Sequence, residues 1–145
     1  MKKSLIFLLF LGCSLAAFAQ PAPQEVFVVV EEMPRFPGCE NSSMELQQKM
    51  KCADQELNQY IRQNLVYPND ARQKGIQGTV VIRFIVMPDG SITEAKINRD
   101  IGSGCGQSAL KLVTDMNKKG IRWIAGKQRN KKVPVHYNLP IKFTL

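Results

Sequence analysis

Alternation of apolar and polar positions is sharpest at the C-terminal end. Val133, Val135, Tyr137, Leu139, Ile141, Phe143 and Leu145 are apolar, and Pro134, His136, Asn138, Pro140, Lys142 and Thr144 fall between them. A period of two sustained this long predicts a half-buried strand. Proline has no N–H to donate, so the two prolines place the strand at a sheet edge or leave it partly unpaired. Val80–Met87 is apolar on nearly both faces, Arg83 excepted, and predicts a second strand. Ile92–Arg99 alternates, with Thr93, Ala95 and Ile97 on one side and Glu94, Lys96 and Asn98 on the other. Pro88-Asp89-Gly90-Ser91 joins these two as a hairpin.

Helical spacing governs the rest. Ala109, Leu112, Val113 and Met116 form one apolar stripe. It follows a flexible connector, Ile101–Gly106. Lys118 and Lys119 close it at the end the helix dipole favours for positive charge. Upstream, Leu57, Tyr60, Ile61 and Leu65 predict a helix over Met44–Asn64, capped by Ser42 or Ser43, with Asp54 as a point of restart. A short helical turn opens at Asn69 as cap. It ends at Gly75, which adopts the left-handed conformation cheaply, with Ile76 as its apolar contact. Glu25–Val30 reads as a short strand, and Met33–Gly38, with two prolines, as extended or turning. Helix, strand, strand, helix, strand makes an α+β, two-layer domain: a three-stranded antiparallel sheet with its apolar face packed on two helices.

Tyr67-Pro68, Ala71-Arg72, Gly75, Gly78, a strand and an Asp-Gly turn follow one another in a set order. The helix Ala109–Met116, Trp123, Gly126-Lys127 and the closing Val133–Phe143 continue it. In this ordered set the chain resembles the C-terminal domain of the TonB family over residues 65–145. Ala125 stands where that family often has Pro, and Asn130 where it often has Gly. Asn tolerates left-handed backbone, so the turn there survives. The resemblance implies a periplasmic binding module rather than an enzyme, in energy-coupled transmembrane transport. Its last strand would pair with a short segment of an outer-membrane receptor and pull on the receptor's plug. Iron chelates or vitamin B12 would then enter. The residues this assigns to partner binding are Val135, His136, Tyr137, Asn138, Leu139, Ile141, Tyr67 and Pro68. The alternative is a stand-alone exported module that binds another envelope protein or cell-wall material without transducing energy.

Residues 1–19 carry Lys2-Lys3, a mostly apolar run from Ser4 to Leu15, and Ala17-Phe18-Ala19 before Gln20. This is the layout of a secretory signal peptide. The apolar run is short for a membrane span. A retained anchor and a lipoprotein signal ending at Cys13 are the competing readings. Residues 20–64 are then an N-terminal extension with a short strand and a helix, and 65–145 the TonB-like domain. Cleavage leaves neither a membrane helix nor a long Pro-rich spacer, so the mature protein binds but cannot pull by itself. If the N-terminus is retained, inner-membrane motor proteins join the partners.

Removing Lys2 and Lys3 takes the net charge from +8 to +6. An exported basic protein rarely meets nucleic acid; acidic protein faces and anionic lipid heads are the partners left. Lys127–Lys132 reads as a solvated hairpin tip that could guide an acidic partner. Cys39, Cys52 and Cys105 remain in an oxidising space. Cys39 and Cys52 are close in one polar segment and are expected to pair. Cys105, near a helix N-terminus, would be reactive if free. No catalytic residue, cofactor or metal is expected. His136 is the only histidine and the cysteines lack the close paired spacing of zinc sites. The Gly102–Gly106 run lacks the Lys-Ser/Thr ending of a nucleotide loop. N-terminal sequencing of the exported protein should begin at Gln20; a full-length product in the inner membrane overturns the signal-peptide reading.

Overall fold

A computed structural model of the chain describes residues 20–40 and 43–145. The signal peptide and the Ser42 cap lie outside them. Helix α1, Leu46–Asn64, runs unbroken through Cys52–Asp54. It is capped by Glu45 rather than by Ser43, which lies two residues further out. The Glu45 side chain accepts from the backbone of Gln48, and Gln48 Oε1 accepts the Glu45 N–H at 3.2 Å. This reciprocal pair satisfies two orphan donors at once. Helix α2, Asn69–Gln73, has Pro68 at its cap, so Asn69 is its first helical residue. Its end matches the sequence reading. Gly75 has φ 65°, its N–H reaches Arg72 O at 3.1 Å, and Ile76 N–H reaches Ala71 O at 2.9 Å.

Strands β1 (Gly78–Val86) and β2 (Ile92–Arg99) form the expected hairpin. Asp89 Oδ1 accepts the Ser91 N–H at 2.9 Å, and Gly90 turns the chain at φ 82°. Strict alternation fails in β2. Ile92 faces Val86 and Ile97 faces Ile82, but Thr93 sits opposite Ile85 on the other side of the sheet. Glu94, at φ 51°, and Ala95 together oppose Phe84. The extra residue is a bulge, and it transfers Thr93 to the face opposite Ile97.

Helix α3, Cys105–Lys118, starts earlier than its apolar stripe. The Asn117 side chain accepts the Ile92 N–H at 3.0 Å and donates to Ile92 O at 2.6 Å, tying the helix to β2. The basic stretch forms a hairpin of β3 (Gly126–Gln128) and β4 (Lys131–Val133), with Arg129 and Asn130 at φ 49° and 61°. Val133 therefore belongs to β4. Pro134 separates it from β5, Val135–Phe143. The main sheet runs β2-β1-β5, antiparallel throughout, which puts β5 on an edge.

One face of this sheet supplies Val80, Ile82, Phe84, Val86, Leu139, Ile141 and Phe143 to the core, against Leu57 and Ile61 of α1 and Leu112, Val113 and Met116 of α3. The architecture is the α+β, two-layer arrangement expected. The lead-in before α1 belongs to the same body. Phe36 is buried in that core. The strand expected at Glu25–Val30 is reduced to one bridge, Phe27 to Val135. The chain leaves β5 there because Glu32 pairs with Lys127 and Arg35 with Ile124 on another line. Arg35 is fixed further by two 2.7 Å hydrogen bonds to the Glu40 carboxylate. Those bonds raise its pKa and lower that of Glu40.

Cys39 and Cys52 form the expected disulfide, with 5.9 Å between their Cα atoms. It clamps the lead-in to α1. Replacing both with Ser should lower unfolding stability by about 3 kcal/mol on the chain-entropy model, measured by urea titration. A loss below about 1 kcal/mol would show that Phe36 and the Arg35–Glu40 pair hold the lead-in unaided.

Candidate partner-binding edge

The backbone of β5 faces two ways. In an antiparallel pair, successive residues point their N–H and C=O alternately toward the partner and away from it. His136 donates its N–H to Phe27 O at 2.8 Å, on the side away from β1. With a period of two, Asn138, Pro140 and Lys142 face the same open side. Val135, Tyr137, Leu139, Ile141 and Phe143 bond to β1, opposite Val86, Phe84, Ile82, Val80 and Gly78. Pro140 thus removes no bond from the sheet. Its missing N–H falls where no strand of the described residues lies, the placement edge prolines favour. Pro134 offers only its carbonyl, which accepts the Phe27 N–H at 2.9 Å.

The open stretch therefore presents the N–H groups of Asn138 and Lys142 and the carbonyls of His136, Asn138, Pro140 and Lys142. These groups are what an added strand would bond to. The side chains divide differently. Val135, Leu139 and Ile141 are buried in the sheet's core face, and Tyr137 is half-buried among Phe84 and Trp123, with ring centroids at 5.5 and 5.0 Å. Burial raises the Tyr137 pKa. Only His136 and Asn138, of the strand residues expected to bind, project from the other face. Tyr67 and Pro68 lie at the far end of β5. The Tyr67 ring meets Phe143 edge-on at 5.4 Å, its hydroxyl donates to Ile76 O, and Arg72 lies 5.2 Å over the ring. Pro68 sits beside Gly104. Tyr67 braces the end of β5, Pro68 packs at the start of α3, and neither is brought together with His136 and Asn138.

Sequence reasoning missed the lead-in's hold on this edge. Its signal was the strand-forming run Glu25–Val30, whose neighbour could not be read from sequence. A reactive Cys105 is also corrected. Its side chain is fully buried, and burial, reinforced by Asp100, pushes its thiol pKa up despite the helix N-terminus. Cys105 is free and belongs to the core side, whereas His136 lies on the opposite face, so the two form no nucleophile pair. Among the described residues no group of three or more His, Cys, Asp or Glu converges as metal ligands, and no helix is long and apolar enough to cross a membrane.

A small α+β module whose sheet leaves the outer side of β5 open beyond His136 is the class these features define. The chain belongs to the TonB C-terminal domain family: the family model described as Gram-negative bacterial TonB protein C-terminal matches residues 63–145. It is also similar to two solution NMR structures of the Helicobacter pylori TonB C-terminal domain. One spans residues 194–285 of that protein, at 22% identity, covering 62% of this chain and 90% of that one, with a TM-score of 0.45. The other spans residues 179–285, at 22% identity, covering 75% and 95%, with a TM-score of 0.46. A search of curated proteins gives no match.

His136 gives the edge a pH signature. Its Nδ1 is buried without a partner. Burial, then the Arg83 charge, hold its pKa below the ordinary value; Lys96 adds to this and Glu94 opposes it. The unfolded chain, with a histidine pKa of about 6.5, takes up the proton first. Stability should therefore fall as pH drops from about 6.5 toward the folded pKa, then level off. The ring should titrate below that value by NMR, and His136→Gln should remove the slope. A folded pKa at or above the ordinary value contradicts the desolvated placement.

Proposed function

We propose that this protein acts at the bacterial envelope by pairing its β5 edge with an extended segment of an outer-membrane receptor, in energy-coupled transport of the TonB type. The observation that carries this is the open edge itself: among the described residues, two free N–H groups and four free carbonyls on a strand whose odd-numbered side chains face the core. Membership of the TonB family points to the receptor class. Main-chain bonding explains how one edge would serve partners of varied side chain. Periplasmic residence follows from the signal-peptide reading together with the family. No catalytic role is assigned, since the one free thiol among the described residues is sealed in the core and the one histidine lies on the opposite face.

Two proline substitutions separate binding from folding. Asn138→Pro removes a donor that faces the open side. It should leave the circular dichroism spectrum unchanged and weaken capture of receptor N-terminal peptides by about threefold to tenfold, the net worth of one hydrogen bond. Leu139→Pro removes a donor that faces β1 and should cost about 3 kcal/mol or more in stability. The measurement is peptide titration beside urea unfolding. If the folded wild-type domain binds none of its host's receptor peptides at high micromolar concentration, the alternative stands: an exported module for another envelope protein or cell-wall material.

A further inference from the structure

The lead-in before α1 has a fixed half and a loose half. Val30–Cys39 is fixed. Val30, Pro34, Arg35, Phe36 and Cys39 are buried, and two bridges and the disulfide hold this half. Gln20–Val29 is loose. Gln20–Glu25 are exposed, and Val28 and Val29 are 62% and 77% exposed. The backbone bonds of this half are the two made by Phe27, from its N–H to Pro134 O and to its carbonyl from His136 N–H.

Those two bonds use the first open-side groups of β5. A strand added to the edge would lie about 4.8 Å from β5, in the lane Phe27 occupies. One donor cannot serve two strands in that lane. We infer that Gln20–Val29 is an internal cap on the partner edge. It covers the edge at Val135–His136 in the free protein and competes with a partner strand for it. This rests on the pairing reading above and adds a regulator to it. The cap is built to yield. Glu25-Val-Phe-Val-Val-Val is strand-forming in composition, yet one residue of it is bridged and its neighbours bury little surface. The fixed half keeps it attached, so a displaced cap returns quickly. A partner segment opposite Asn138–Lys142 fits below the cap. A longer one, opposite Pro134–Lys142, displaces it and gains the His136 donor and the Pro134 carbonyl.

The test compares the chain from Gln20 to Leu145 with its Phe27→Pro variant, which lacks the donor to Pro134 and the Phe27 ring. Amide hydrogen exchange comes first. In the native protein His136 should exchange at least about tenfold more slowly than Asn138, the equivalent of about 1.4 kcal/mol. In the variant the two should exchange alike, while the β1 amides stay protected. Titration with long receptor N-terminal peptides comes second. The apparent dissociation constant scales inversely with the open fraction, so the variant should bind at least about tenfold more tightly. Native His136 exchanging as fast as Asn138 overturns the cap. A peptide that binds both proteins equally overturns the competition alone. If neither protein binds any peptide, the pairing reading itself fails and the competition falls with it.

Discussion

Trp123 is the contact on which the rest of this fold depends. Its ring meets Phe36 of the lead-in, Phe84 of β1 and Tyr137 of β5, with centroids at 5.7, 5.4 and 5.0 Å. Its indole N–H points at Met116 of α3, and its backbone N–H bonds Gly90 O in the β1–β2 turn at 2.9 Å. One side chain thus fixes the distance between elements remote in sequence. Gly90 shows how tight the seat is. A Cβ there would lie 2.2 Å from Trp123 O, on a backbone already at positive φ. Edge-on aromatic pairs add roughly 0.5–1.5 kcal/mol each beyond buried area, so this cluster is a large share of a small domain's stability.

Because Trp123 and the α3 stripe hold the core face, β5 does not need a second neighbour. Its odd-numbered side chains anchor it to β1 and the helices, and its outward backbone beyond the His136 N–H stays unpaired among the described residues. Open edges invite aggregation, and proteins blunt them with proline and charge. Pro140, Lys142 and Phe27 act this way along β5. In the proposed pairing, the same devices would set where a selective partner enters: after Phe27, and around a proline that can accept but not donate.

Much of this was legible in the sequence. The alternation of Val133–Leu145 gave a strand, which the structure confines to Val135–Phe143, and its prolines pointed to an edge or a partly unpaired strand, because both depend on local chemistry. The Schellman-type end at Gly75 and the Cys39–Cys52 pair were read the same way. What was not legible depends on contacts between distant segments. The Glu94 bulge is set by how β1 and β2 register. The Glu25–Val30 run was read as a strand from its composition. Its pairing is decided by Glu32, Arg35 and Phe36, which draw the chain toward β3 and the core. Cys105 was read from its helix position, where the dipole lowers a thiol pKa. Complete burial opposes that effect and prevails.

The partner-binding residues show why an edge is difficult to read by residue type. Beside His136 and Asn138, the expectation named the apolar Val135, Tyr137, Leu139 and Ile141. Their side chains are committed to the core, and their backbone groups to β1. The backbone groups left unpaired on the open side belong to His136, Asn138, Pro140 and Lys142, of which the expectation named the first two. In a strand, the side chain and the backbone of one residue answer to different neighbours. Here the odd-numbered side chains make the fold and the even-numbered backbone makes the edge. A substitution of an outward side chain that keeps the backbone extended should alter partner pairing little. A proline at an even position reaches the edge directly, and one at an odd position reaches the fold first.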